Sequence, residues 1–136
     1  MKADTVVIHF LDGRLLKGAT EDFFPPATTF HIRPADAGDE AVPACIRLAD
    51  LKAVFFVRDL TGDSKYVYRN RFSKGQRFTG QKVRVTFGDG EVMVGWTMGY
   101  GEPGPGFFLF PADTNGNTQR VFVISANARE IAPQGP

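Results

Sequence analysis

The side chains of this chain that could do chemistry are two histidines, one cysteine, scattered serines and aspartates, one glycine-rich loop and one run of mixed cations and aromatic rings. His9 and His31 sit within short alternating runs, and no carboxylate or thiol accompanies them at metal-ligand spacing, so surface or interface histidines are expected and no metal site. No Gly-x-Ser-x-Gly elbow occurs, and a hydroxyl without an identifiable base is not a nucleophile. Asp12 and Asp89 are repeated at matching positions, but each precedes a glycine between two alternating runs. That is the chemistry of a hairpin whose central residues take positive φ, rather than of paired catalytic carboxylates. Gly99, Gly101, Gly104 and Gly106 invite comparison with a phosphate cradle, yet Pro103 and Pro105 remove backbone donors and no Lys-Ser/Thr ending follows. No catalytic residue, no cofactor and no enzymatic activity are therefore expected.

Two features point to binding instead. Between residues 59 and 80, Lys65, Arg69, Arg71, Lys74 and Arg77 are interleaved with Tyr66, Tyr68 and Phe72, and Phe78, Lys82 and Arg84 follow. Cations track phosphates and rings stack on bases, so this mixture suits single-stranded nucleic acid; the plainer reading is a solvated linker whose rings pack on its neighbours. The arginine and serine spacing around Asn70, Ser73 and Gly75 does not match that of cyclic-dinucleotide sites. The second feature is a surplus of apolar residues. Phe108 and Phe110 alternate with Phe107 and Leu109, Phe122 and Ile124 with Val121 and Val123, and Phe55 and Phe56 lie in a run that is apolar on both sides. A small sheet has one inside, so Phe108, Phe110, Phe122, Ile124, Phe55 and Phe56 are candidate interface residues, covered by the other half of the chain, by a second copy or by a protein partner.

The elements that must position these groups are strands. Residues 5–11 alternate, Asp12 and Gly13 turn the chain, and residues 14–23 return with Gly18 marking a bend. Residues 29–33, 44–48 and 52–58 read as further strands, with a short turn at 49–51. Cys45, a small thiol in an apolar run, is expected in the core, and a single cysteine excludes an internal disulfide. The plan then recurs. Residues 5–54 align with 82–131 at a constant offset with about a dozen identities, among them Val6 with Val83, Asp12 and Gly13 with Asp89 and Gly90, and Gly18 with Gly95. Between the copies, residues 65–69 suggest one more strand. Thirteen Phe and clustered Gly and Pro agree with strands and turns rather than long helices. The net charge of +1 supplies no global pull toward nucleic acid or membranes. No apolar run of signal or membrane-spanning length occurs, so a cytoplasmic protein without membrane contact is expected.

Five short strands, an Asp-Gly hairpin after the first, and a glycine five residues beyond the turn glycine resemble the Sm-like version of the SH3-type barrel. Where Sm-like proteins shape an RNA-base pocket with Asp and Asn, this chain has Phe24 and Thr28, then Gly101 and Pro105. The resemblance thus implies the fold without that pocket. Residues 50–59 and 106–113 also resemble an uncharacterised bacterial domain family, some members of which are attached to signalling modules, which implies an accessory interaction role. The sequence thus predicts an all-β protein of two tandem SH3/Sm-like five-stranded barrels packed into one compact unit. The expected divisions are a first barrel over 1–58, a basic aromatic linker over 59–80, a second barrel over 81–132 and a tail over 133–136. The expected function is a non-catalytic binding or assembly module for a protein partner or for itself, with single-stranded nucleic acid as the alternative. Function is expected where the copies differ, at Arg33 against Phe110, Cys45 against Phe122 and Arg47 against Ile124, and in the linker.

Overall fold

The computed structural model describes residues 3–38, 42–63, 65–101 and 103–134. Ten strands make up almost all of the regular structure: β1 (Asp4–Phe10), β2 (Leu15–Thr20), β3 (Thr29–Pro34), β4 (Ala44–Arg47), β5 (Leu51–Val57), β6 (Gln81–Phe87), β7 (Val92–Thr97), β8 (Gly106–Pro111), β9 (Thr118–Ile124) and β10 (Ala128–Pro133). Single 3-10 turns, Leu48–Asp50 and Ser125–Asn127, precede β5 and β10. Among the described residues no helix is long and apolar enough to cross a membrane.

All pairings are antiparallel, and they join the strands into one sheet in the order β10-β6-β7-β8-β9-β5-β1-β2-β3-β4. Each half has the same internal order, fifth strand beside the first and then second, third and fourth. The sheet is open, however, and does not close into two barrels. The reason is β5, which pairs with β1 on one side and with β9 on the other, so the ladder of the first half runs directly into that of the second. β4 and β10 are left as the two outer edges.

The hairpins differ in detail from the sequence expectation. The Phe10 N–H donates to the Arg14 carbonyl and the Gly13 N–H to the Phe10 carbonyl, and Phe87, Glu91 and Gly90 repeat the pattern. Among the described residues only glycines take positive φ, 93° at Gly13 and 94° at Gly90. Each turn is therefore a three-residue loop with glycine in the left-handed position, not a two-residue turn. The aspartates close it: Asp12 accepts from the Arg14 N–H and Asp89 from the Glu91 N–H, both at 3.0 Å. At the bends, Gly18 stands opposite Pro34 and Gly95 opposite Pro111. A Cβ at either glycine would run into a carbonyl oxygen, that of Arg33 or of Phe110, so close backbone approach explains both.

Two cores lie on opposite faces of the shared strands. Val6, Ile8, Phe30, Ile32, Val54, Phe56, Phe122 and Ile124 belong to one, Ala53, Phe55, Val57, Val83, Phe87, Leu109, Val121 and Val123 to the other. Every residue of β5 is buried: from Ala53 to Val57 alternate side chains enter different cores, while Leu51 joins the first core. Burial of each large side chain there contributes about 2 kcal/mol, so the seam between the halves is a strong join. An ion cluster closes one end of it: Lys52 Nζ lies 2.8 Å from Asp89 Oδ2 and 2.6 Å from Glu91 Oε1.

Cys45 is not in the core. On β4 the alternation sends Ile46 inward and leaves Cys45 exposed, directly across from His31. The positions where the copies differ have a packing explanation as well. Phe122 and Ile124 on β9 are covered by the first half, whereas their counterparts Cys45 and Arg47 on β4 face solvent at the outer edge. An aromatic or aliphatic residue belongs where a face is covered, and a polar one where it is not.

Candidate nucleic-acid interface

The apolar candidates are largely consumed by the chain itself. Phe55, Phe56, Phe122 and Ile124 are buried, and Phe108 packs edge-on against Phe56 and Phe122 at ring-centroid distances of 5.8 and 5.0 Å. Phe23, from the loop after β2, completes this cluster. Phe110 is different. It stacks on Trp96 across β7 and β8, with centroids 4.2 Å apart and planes 15° from parallel, and both rings remain partly exposed.

This stack lies in a row of side chains on one face of the sheet. Lys82 of β6 is opposite Trp96 of β7, and Trp96 is opposite Phe110 of β8. Cross-strand partners project from the same face, so the three are neighbours. Lys82 Nζ is 4.7 Å from the Phe72 ring centroid and 5.2 Å from that of Phe78, held over two rings that are themselves 5.2 Å apart. On β9 the Arg120 guanidinium lies 4.3 Å from the Phe56 ring and 4.5 Å from the Phe108 ring, with the Asp4 carboxylate at 3.8 Å. Cations and rings thus alternate across the face from the linker to the seam.

The linker is fastened along this half. The Tyr66 hydroxyl donates to the Asp113 carboxylate, with both oxygens at 2.7 Å, and the Arg69 N–H donates to Asp113 Oδ2 at 2.8 Å. Asn70 replaces a missing strand beside β7, donating to the Val92 carbonyl and accepting from the Val94 N–H. Gln76 donates to the Ala112 carbonyl. The Tyr68 hydroxyl accepts from the Thr118 N–H, and its ring covers Gly116, where a side chain would have no room. These side-chain anchors take the place of the strand expected at 65–69, which does not form.

Electrostatics follow the anchoring. Burial would raise the Asp113 carboxyl, but hydrogen bonds from the Arg69 and Asn115 backbone and from Tyr66 outweigh it and hold the group below the usual range. The Tyr66 hydroxyl is pushed up by that same bond. Lys65, Arg71, Lys74 and Arg77 are exposed, Arg69 is half-buried, and among the described residues none of them, nor Lys82, is within salt-bridge distance of a carboxylate. Phe72 is half-buried, and Tyr66 and Tyr68 keep part of their rings exposed. The docked linker therefore presents unpaired cations from a fixed backbone.

The corresponding face of the first half is polar. Asp22 accepts from the His31 N–H at 2.8 Å and lies 2.7 Å from His31 Nδ1, and the Thr20 hydroxyl donates to it at 3.2 Å. Burial acts to raise the Asp22 carboxyl, and these bonds together hold it down. His9 is half-buried against Phe55, at 4.1 Å between centroids, and burial followed by the Lys52 charge lowers its pKa. Among the described residues no three His, Cys, Asp or Glu side chains group as metal ligands.

Sequence reasoning missed Trp96 and Asp113. Trp96 stands where the first copy has Ala19, and a large ring at a position that is small in the duplicate was the available signal. Asp113 aligns with Asp36, which hides its role as the linker's anchor.

Comparison with known proteins gives a family without an activity. No curated protein and no solved structure matches the chain. The profile described as "Family of unknown function (DUF6982)" matches residues 2–133, and the chain, an all-antiparallel β-sheet protein over that span, belongs to this family.

Proposed function

We propose that this domain is a non-catalytic binding module for single-stranded nucleic acid, built from two SH3/Sm-like units side by side. The observation that carries the reading is the partly exposed Trp96–Phe110 stack with Lys82 beside it, Lys82 in turn lying over Phe72 of a linker whose cations have no acidic partner among the described residues. Bases would stack against the exposed portions of the rings, at about 1–3 kcal/mol per base. Phosphates would follow Arg69, Arg71, Lys74 and Arg77. Specificity for sequence is not implied, because a ring accepts any base and a cation any phosphate. Of the residues that favoured a protein partner in the sequence, Phe55, Phe56, Phe122 and Ile124 are buried within the chain and Phe108 and Phe110 stay half-buried, which is why the balance moves toward nucleic acid.

Trp96 is the only tryptophan, so its emission reports on the site directly. Oligo-dT added at low salt is expected to quench it saturably, with affinity falling as salt rises by a log-log slope of about −0.7 per phosphate engaged. Arg71→Glu with Lys74→Glu should weaken binding at least about tenfold, as expected for two lost phosphate contacts. Absence of quenching at low salt, or quenching unaffected by the double reversal, would remove the reading.

A further inference from the structure

The two outer edges of the sheet are not alike, and the second half shows what can occupy one of them. β4 holds the fourth place in the first half, as β9 does in the second. The outer edge of β9 is filled by β5, antiparallel, with Ala53 opposite Val123, Val54 opposite Phe122 and Phe55 opposite Val121. The outer edge of β4 has no strand against it among the described residues. A free edge carries unpaired backbone donors and acceptors, and extended peptides add to such edges.

We propose that β4 takes up an extended segment of a protein partner as an eleventh strand, antiparallel to it as β5 is to β9. The side chains along β4 specify the chemistry of that segment. Ile46 and half-buried Ala44 face the first core, so alternate residues of the partner are apolar where they extend that core. Cys45 and Arg47 face the other way, beside His31 and Thr29, so the intervening residues are polar.

Two cavities bracket the edge and refine this. Next to Arg47, a cavity of about 280 Å³ lies between the halves, walled by Leu48, Ala49, Pro105, Ile124 and Ala126. It fits an aliphatic side chain at the start of an antiparallel segment. At the other end, beside Pro43, a cavity of about 480 Å³ on the polar face is lined by Arg33, His31, Asp22 and Glu21. Asp22 is engaged by His31, whereas Arg33 has no carboxylate within salt-bridge distance among the described residues. An acidic side chain at the end of the segment would meet that guanidinium, with Glu21 as the opposing charge.

A second copy offering β10 is a poor occupant. By the β5-on-β9 register its β10 would set Glu130 against Ile46, and Pro133 brings no N–H to the ladder. The partner is thus a foreign segment reading aliphatic, polar, aliphatic, polar, aliphatic, acidic. This surface is separate from the Trp96 face, and the inference stands or falls independently of nucleic-acid binding.

The probe is acetyl-Leu-Thr-Val-Thr-Val-Glu-amide, titrated into the full chain labelled with ¹⁵N. Saturable shifts are expected at the amides of Ala44 to Arg47 and at Arg33, with Trp96 unmoved. Arg33→Glu, an exposed substitution, should weaken this peptide about tenfold, the size of one charge-assisted contact, and a Lys-ended peptide should regain the loss. Shifts spread over the surface, equal shifts at β10, affinity indifferent to Arg33, or a chain already dimeric with β4 protected before peptide is added would each overturn the proposal.

Discussion

Lys52 Nζ lies 2.8 Å from Asp89 Oδ2, and this contact joins the strand shared by both cores to the hairpin tip of the second half. Asp89 is therefore more than turn chemistry: one oxygen closes its own loop and the other binds across the seam. The Lys52 side chain is 11% exposed. Burial alone would lower its pKa, and the bonds it donates to Asp89 and Glu91 reverse that, leaving it raised.

Replacing Lys52 with Met removes two charge-assisted bonds and should cost on the order of 2 kcal/mol in denaturant unfolding near neutral pH. The pH dependence has a fixed sign. The Lys52 bond holds Asp89 below the ordinary carboxylate value. Its contribution is present above the unfolded value of about 3.9 and is lost as pH falls through the lower folded value. Lys52, raised on folding, contributes fully below about 10.4 and loses that contribution as pH rises through its folded value. Stability should fall at both extremes, and Asp89→Asn should flatten the acid limb. Equal acid sensitivity in that variant would assign the limb to other groups.

Gly18 and Gly95 occupy two of the sites where strand backbones approach too closely for a side chain. Gly18→Ala and Gly95→Ala should each destabilise by about 2 kcal/mol or more, as overpacking does. Gly88, whose added Cβ would meet nothing nearer than 3.9 Å, is the control. Thermal midpoints of the three variants decide it, and a Gly95→Ala protein as stable as Gly88→Ala would refute the close-approach account.

The halves should unfold together. Phe122→Ala creates a cavity in the first core at a cost of about 3–5 kcal/mol, yet its strand also lines the second. The Trp96 emission, which reports on the second half, should shift by the same amount as the far-ultraviolet dichroism. Two separated transitions would show that the cores are independent.

Asp113 holds the linker through Tyr66 and Arg69, so Asp113→Ala should free it. Trypsin should then cut after Arg69, Arg71 or Lys74 about tenfold faster than in the parent chain, since cleavage follows the population of the opened segment. An unchanged rate would assign the anchoring to Asn70 and Gln76.

The strands were legible because alternation and turn glycines are local signals, and the alignment of residues 5–54 with 82–131 let each half check the other. Cys45 was misplaced because a short run containing Ala44, Cys45 and Ile46 has no unambiguous phase until Ile46 is known to face Phe30. The open sheet was not legible. Nothing local in residues 51–57 distinguishes a strand buried in a single barrel from one paired on both edges, although apolar character on both its faces was visible. The linker's cations and rings could be read directly, but their fixed arrangement depends on Asp113 and Asn70, whose partners lie tens of residues away in the chain.

The strand over Leu51–Val57 also sets a problem of timing during synthesis. Its partner Thr118–Ile124 is made some sixty residues later, so a growing chain that has completed only its first half carries Ala53, Phe55 and Val57 with no core to enter and one edge unpaired. Such a nascent intermediate is adhesive by the same chemistry that later seals the seam. A gene fragment ending near residue 60 is therefore expected to encode a protein that aggregates or takes up a substitute strand.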